Sequence, residues 1–170
     1  MPADLATLIA HDHQVISKLL VALQDTSRAD RFPLAHRLID EIAAHSAAEL
    51  QILHPALRDI VPGGVELANR GQTDYETLRP VLVALEQAHP DDASFEDVVR
   101  GVAAAVEGHV PPVENEFLPA LEAVIGAGAM QELGAVYSSL KDNLPSGLQA
   151  LPSANPSPTF TGIQPQPPAG

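Results

Sequence analysis

The chain has 170 residues, which suits one domain around one core and leaves little room for a second. Its formal net charge of −13 offers no basic patch to phosphates, so neither nucleic acid nor an anionic membrane is an expected partner. There is no cysteine, which excludes disulfides, thiolate catalysis and cysteine-held zinc or iron–sulfur sites.

Hydrophobic residues make up 45% of the chain and aromatic residues only 4%, a balance of Ala, Leu and Val that favours close-packed helices over strands. The first predicted helix covers residues 4–25, with Leu5, Ile9, Ile16, Leu20 and Leu23 on one stripe at the helical period. After a polar link, Pro33 suits the opening turn of a second helix that runs to residue 60, before Pro62-Gly63-Gly64. A third is expected over residues 66–88, with a kink at Pro80, and ends ahead of Pro90-Asp91-Asp92. Ser94 with Asp97 reads as a cap for the fourth, which reaches residue 125. Beyond Gly126-Ala127-Gly128, a shorter fifth helix over residues 129–143 would pack across one end. The fold class is therefore all-α: an up-down-up-down four-helix bundle in residues 1–144. Residues 145–170 hold seven prolines and no charge, the composition of a disordered Pro-rich tail. Pro165-Gln166-Pro167-Pro168 is a weak match to a proline-rich ligand. No apolar run is long enough to span a bilayer and the first ten residues lack a basic start, so a cytoplasmic monomer or weak homo-oligomer is expected.

An internal repeat points to the site. Residues 12–23 align without gaps on residues 74–85; both open with Asp and a ring (His13, Tyr75) and both close with Leu-Val-Ala-Leu. His45-Ser-Ala-Ala-Glu49 leads to Pro55-Ala-Leu, and His109-Val-Pro-Pro-Val-Glu114 leads to Pro119-Ala-Leu, each histidine ten residues before its proline. Residues four apart on a helix share a face, so His45 and Glu49 project together, and His13 lies on the apolar stripe of its helix. Imidazoles and a carboxylate aimed into a bundle are costly unless something meets them, and a metal ion meets several at once. Nitrogen and oxygen donors without thiolate suit iron, manganese or zinc. His36, His54 and His89 read as surface or hydrogen-bonded core histidines, with His54 about 180° round the helix from His45 and facing away. His11 is an alternative to His13, on the stripe of Leu8, Val15 and Leu19.

The stretches Asp12-His13, His45-Ser-Ala-Ala-Glu49…Leu53-His54-Pro55-Ala-Leu and His109-Val-Pro-Pro-Val-Glu114-Asn-Glu-Phe-Leu-Pro119-Ala-Leu resemble the signature segments of the hemerythrin-like, or HHE cation-binding, family. Met130-Gln-Glu-Leu-Gly134 is similar to the bundle-end helix of its actinobacterial members. The resemblance covers residues 4–140 and implies a non-haem di-iron site that takes dioxygen or peroxide, with His13, His45, Glu49 and His109 as ligands. Where the family has a third-helix histidine this chain has Tyr75, and where it has a carboxylate four residues after His109 this chain has Val113. Tyrosine oxygen can hold ferric iron. Glu114, at i+5, is about 140° from His109 on a regular helix, but Pro111-Pro112 disturb the ladder and a wider turn would bring it back. In the opposite reading, Val113 faces the centre and Glu114 faces solvent. Three functions follow from the resemblance: oxygen or peroxide binding or sensing at a di-iron or mononuclear iron with an altered second half, a metal-free interaction module, or a catalase-like or oxidative enzyme.

Overall fold

The structure is a computed structural model that describes residues 3–25 and 28–152. Six helices are arranged as a four-helix bundle: α1 (Leu5–Asp25), α2 (Arg28–Gln51), α3 (Leu53–Ile60), α4 (Gly64–Gln87), α5 (Phe95–Pro112) and α6 (Leu118–Asp142). There is no strand among the described residues.

α1 begins where Asp4 Oδ1 accepts the backbone N–H of Thr7 at 2.7 Å, which satisfies one of the open amides of the first turn. α2 starts earlier than its proline suggested, so Pro33 sits inside it. α2 and α3 form one bundle helix interrupted at Ile52, whose φ of −121° and ψ of −59° depart from the helical range. Gly63, with φ +76°, makes the left-handed turn into α4. Gly64 is required there as well, since a Cβ would lie 1.9 Å from the Leu57 carbonyl oxygen. α4 carries Pro80 within its length, at an exposed position. Ser94 does not cap α5 through its side chain as its spacing with Asp97 suggested; it is itself nearly helical, at φ −84° and ψ −9°.

α5 passes directly into a π segment, Val113–Phe117, and then into α6. Gly126, with φ +77° and ψ 168°, turns the chain inside α6, and the second half of α6 crosses the end of the bundle against α1. Gly134 lies so close to the start of α1 that a Cβ would stand 2.4 Å from the Ala3 carbonyl oxygen.

The first residues of the expected tail are packed. Gly147–Ala150 form a 3-10 turn against α2, Gly147 N–H donates to Asp40 Oδ1 at 2.7 Å, and Ala150 and Leu151 are buried. Two apolar side chains and a satisfied amide suffice to seat this short stretch. The rest of the expected tail, 153–170, lies outside the described residues.

The core is divided. One apolar cluster holds Ile16, Leu20 and Leu23 of α1 with Leu38 and Ile42 of α2, Leu82 of α4 and Val99 of α5. The other holds Leu5 and Ile9 of α1 with Leu53, Phe117, Leu133 and Tyr137. On α1 the buried polar residues Asp12 and His13 come between the two clusters in chain order, as do His45 and Ser46 on α2; Glu49 follows Ala48 at the edge of the second cluster, and His54 of α3 sits among that cluster's residues. Such a layer is unfavourable unless its polar atoms are matched, so it marks where a site should lie.

Candidate metal centre

α1 supplies His13, α2 supplies His45 and Glu49, and α5 supplies His109. Ligand atoms of these four all lie within 4.8 Å of one another. Glu49 is central: its Oε2 is 3.1 Å from His109 Nε2 and 3.6 Å from His45 Nε2. The two Nε2 atoms are 3.5 Å apart. Two imidazole nitrogens on one ion at about 2.1 Å stand roughly 3 to 3.5 Å apart, so the spacing suits a shared cation. The three rings pack edge to face, with centroids 4.8 to 5.7 Å apart.

Hydrogen bonds fix which nitrogens face inward. Tyr137 Oη donates to Asp12 Oδ2 at 2.6 Å, so its oxygen is left to accept from His45 Nδ1 at 3.0 Å. With the proton on Nδ1, His45 turns the lone pair of Nε2 toward Glu49 and His109. Lys141 Nζ, 2.6 Å from Asp12 Oδ2, completes the support behind the ring. Outer partners of this kind set the tautomer and orientation of metal-binding histidines. On the other ring, His13 Nδ1 donates to Glu114 Oε1 at 2.7 Å, which leaves His13 Nε2 as the lone-pair nitrogen.

Burial and neighbours set the charges. Burial opposes the charge on Asp12, yet hydrogen bonds from His45, Lys141 and Tyr137 hold its carboxyl well below the usual range. Glu49 is likewise kept ionised against burial, by His45 and His109. Burial, aided by the charges of His45 and His109, lowers His13 to about 4, so that ring is neutral near pH 7 and its lone pair is available. His109 moves upward, because Glu49 and Asp74 outweigh the effect of burial. Imidazole nitrogens around an ionised carboxylate are the donor set a divalent or trivalent cation selects, and such a cation would displace any protons they carry.

Among the described residues, four buried side-chain atoms have no hydrogen-bond partner: His13 Nε2, Glu49 Oε1, and both ring nitrogens of His54. All of them belong to this polar layer. Orphaned atoms concentrated at one place fit a site shaped for an ion rather than a finished polar network.

The structure brings His13, His45, Glu49 and His109 together and sets Glu114 beside them. The π segment decides the position of Glu114: the wider turn after Pro111-Pro112 puts Val113 fully into the apolar end of the core and still brings Glu114 round to His13. Tyr75 is half-buried near the cluster, but its hydroxyl donates to the Pro152 carbonyl oxygen at 3.3 Å. His11 is exposed, whereas His13 is buried in the cluster. His54 does not face away. It is 3% exposed and lines a small chamber with Glu49, Gly71, Asp74, Tyr75 and His109. The interruption at Ile52 resets the helical phase that placed it on the far side. Asp12, Tyr137 and Lys141 were not among the residues expected at the site. Asp12 stands next to His13 in the repeat, a usable signal, whereas Tyr137 and Lys141 reach the site only because Gly126 turns α6.

A family model described as the hemerythrin HHE cation binding domain matches residues 4–121. The match takes in all four clustered side chains and Glu114, and it stops short of Tyr137 and Lys141. No curated protein and no solved structure matches the chain.

Proposed function

The chain belongs to the hemerythrin HHE cation-binding family, and on that premise we propose that it binds non-haem iron at His13, His45, Glu49 and His109 and uses it to bind or sense dioxygen or peroxide. The observation that carries this reading is the buried convergence of three imidazoles on one ionised carboxylate, with ligand atoms within 4.8 Å and His13 Nε2 and Glu49 Oε1 unpartnered. Iron bound there would supply a redox-active Lewis acid for a small oxygen ligand.

The chain's own residues do the rest. His45 is held rigidly by Asp12 and Tyr137, and His13 by Glu114, so two nitrogens are aimed before any ion arrives. Preorganisation of this kind lowers the cost of binding. Glu114 serves in this reading as the outer partner of His13. The apolar clusters above and below exclude water from the layer, which strengthens every charge interaction within it.

The test is metal analysis of the full chain after growth in iron-rich medium, read beside its near-ultraviolet and visible spectrum. Stoichiometric iron that falls to background in His45→Ala, with an absorption that changes on exposure to oxygen or peroxide, is the expected result. A colourless protein without stoichiometric metal would favour the metal-free interaction module and sink the proposal.

A further inference from the structure

Residues 144–152 leave the end of α6 and cross from α2 to α4. The Leu144 N–H still donates to the Lys141 carbonyl oxygen, at 3.3 Å. Gly147, with φ +65°, then turns the chain in the left-handed region that suits glycine. Its N–H donates to Asp40 Oδ1 of α2 at 2.7 Å. Ala150 and Leu151, each 7% exposed, join the apolar cluster that holds Leu38, Ile42 and Leu82. At the far end the Tyr75 hydroxyl of α4 donates to the Pro152 carbonyl oxygen at 3.3 Å. The family match ends at residue 121, well before this strap.

Tyr75 has a second side. With Glu49, His54, Asp74 and His109 it lines a small chamber whose free space is about 10 Å³, roughly that of one water molecule. Glu49 and His109 belong to the metal cluster, so the chamber borders the site directly. The half-buried ring of Tyr75 is thus both a wall of the chamber and the anchor of the strap. Leu78, one turn on, repeats the arrangement: it lines the chamber and belongs to the apolar cluster that Leu151 enters. The facing wall, Ser46, Glu49 and Leu50, stands on the same helix as Asp40. The strap therefore ties together the two helices whose side chains enclose the chamber.

The fastening is light. Among the described residues it consists of the bonds to Asp40 and Tyr75 and the burial of Ala150 and Leu151, with Leu144 and Leu148 half covered. Segments with so few buried apolar contacts open locally long before the whole protein unfolds.

We propose that residues 144–152 form a gate on the α2–α4 side of the metal layer. Closed, the strap pins Tyr75 against the chamber; lifted, it frees the ring and lets small solutes and ions pass. The proposal rests on the iron-binding reading above. A gate that does not bind the ion changes how fast the ion enters and leaves in equal proportion, and leaves the affinity as it is.

The experiment measures uptake of ferrous iron by the chelator-treated full chain, and its release to excess chelator, under anaerobic conditions. Hydrogen exchange at the Leu151 amide of metal-free protein is followed alongside by NMR. Asp40→Ala removes an acceptor at an exposed position, and Tyr75→Phe removes a donor while keeping the ring. Each should raise both iron rates, and the exchange of the Leu151 amide, by about 2- to 10-fold, the change that loss of one hydrogen bond allows. The double substitution should give about the product of the two, with the affinity for iron unchanged. Faster amide exchange with unaltered iron rates would reduce the strap to packing and overturn the proposal. So would iron rates raised only by Asp74→Ala, since Asp74 also lines an open groove with Arg70 and Thr73 and would then mark the way in. A loss of affinity in place of matched rates would overturn it too. In all three cases the iron reading stands; no iron binding by the unaltered protein would remove that reading and this proposal with it.

Discussion

The two sides of Glu49 are built differently. Toward α1 and α6, every ring is supported: His45 by Tyr137 and Asp12, Asp12 in turn by Lys141, and His13 by Glu114. Toward α4, His54 and Glu49 Oε1 are buried without partners, and the nearest phenol, Tyr75, donates to a backbone carbonyl. Equal burial therefore has opposite consequences. A supported ring is aimed before binding, and an unsupported one is stabilised only when something arrives. The lesson is that the repeat in the sequence duplicates helices and positions, while the hydrogen-bond support was built on one side only.

The largest effect should come from the residue both sides share. Glu49→Gln keeps the size of the side chain and removes its charge, so iron retained through purification should fall from stoichiometric to background by metal analysis. Iron retained in full would show that the imidazoles hold it without the carboxylate. Next is the support itself. Tyr137→Phe takes away the hydroxyl between His45 and Asp12 and leaves buried polar atoms unmatched, a cost of about 1–3 kcal/mol in metal-free stability. Loss of an outer partner of a ligand typically lowers metal affinity by about 10–100-fold. Urea unfolding and iron titration of this variant would show both losses; a variant with unaltered affinity would mean that Tyr137 only fills space.

Metal-free protein should also respond to acid. His13 and His54 have folded-state pKa values of about 4 against the ordinary 6.5. Between those values the unfolded chain binds more protons than the folded one, so stability falls as pH drops from about 6.5 to about 4 and then levels for these groups. His109, shifted upward by Glu49 and Asp74 against burial, acts in a different window: its contribution is fully present below about 6.5 and is lost only as pH rises above that, so it does not alter the decline. Melting temperatures of the chelated protein across that range should decline, and His54→Leu should flatten the decline.

Much of this was legible in the sequence. The helices, the inward stripe of His13 and the pair His45 and Glu49 follow from a period of 3.6, and the family resemblance is confirmed by the match over residues 4–121. What escaped lies where the helix departs from that period. Counting at 100° per residue turns His54 outward, but Ile52 interrupts the count. The same counting leaves Glu114 undecided, and only the π turn brings it to His13. Tyr137 and Lys141 are legible as a helix stripe but not as site residues, because their placement depends on the left-handed turn at Gly126. Ala150 and Leu151 sit in a charge-free, proline-bearing stretch, and nothing local announces that they are buried.

The smallest expected effect separates two roles for Tyr75. In the structure its hydroxyl donates to the Pro152 carbonyl at 3.3 Å in a half-buried setting, a bond worth about 0.5–1.5 kcal/mol at most. Burial raises the pKa of the phenol, which disfavours the tyrosinate a ferric ion would need. Tyr75→Phe should therefore lower stability by no more than that amount, seen in urea unfolding, and leave both iron content and the visible spectrum unchanged. A phenolate-to-iron absorption that vanished in this variant would show instead that Tyr75 leaves Pro152 to bind the ion. The α4 side would then recruit its ligands on binding, with the stretch ending at Pro152 released as the phenol turns inward.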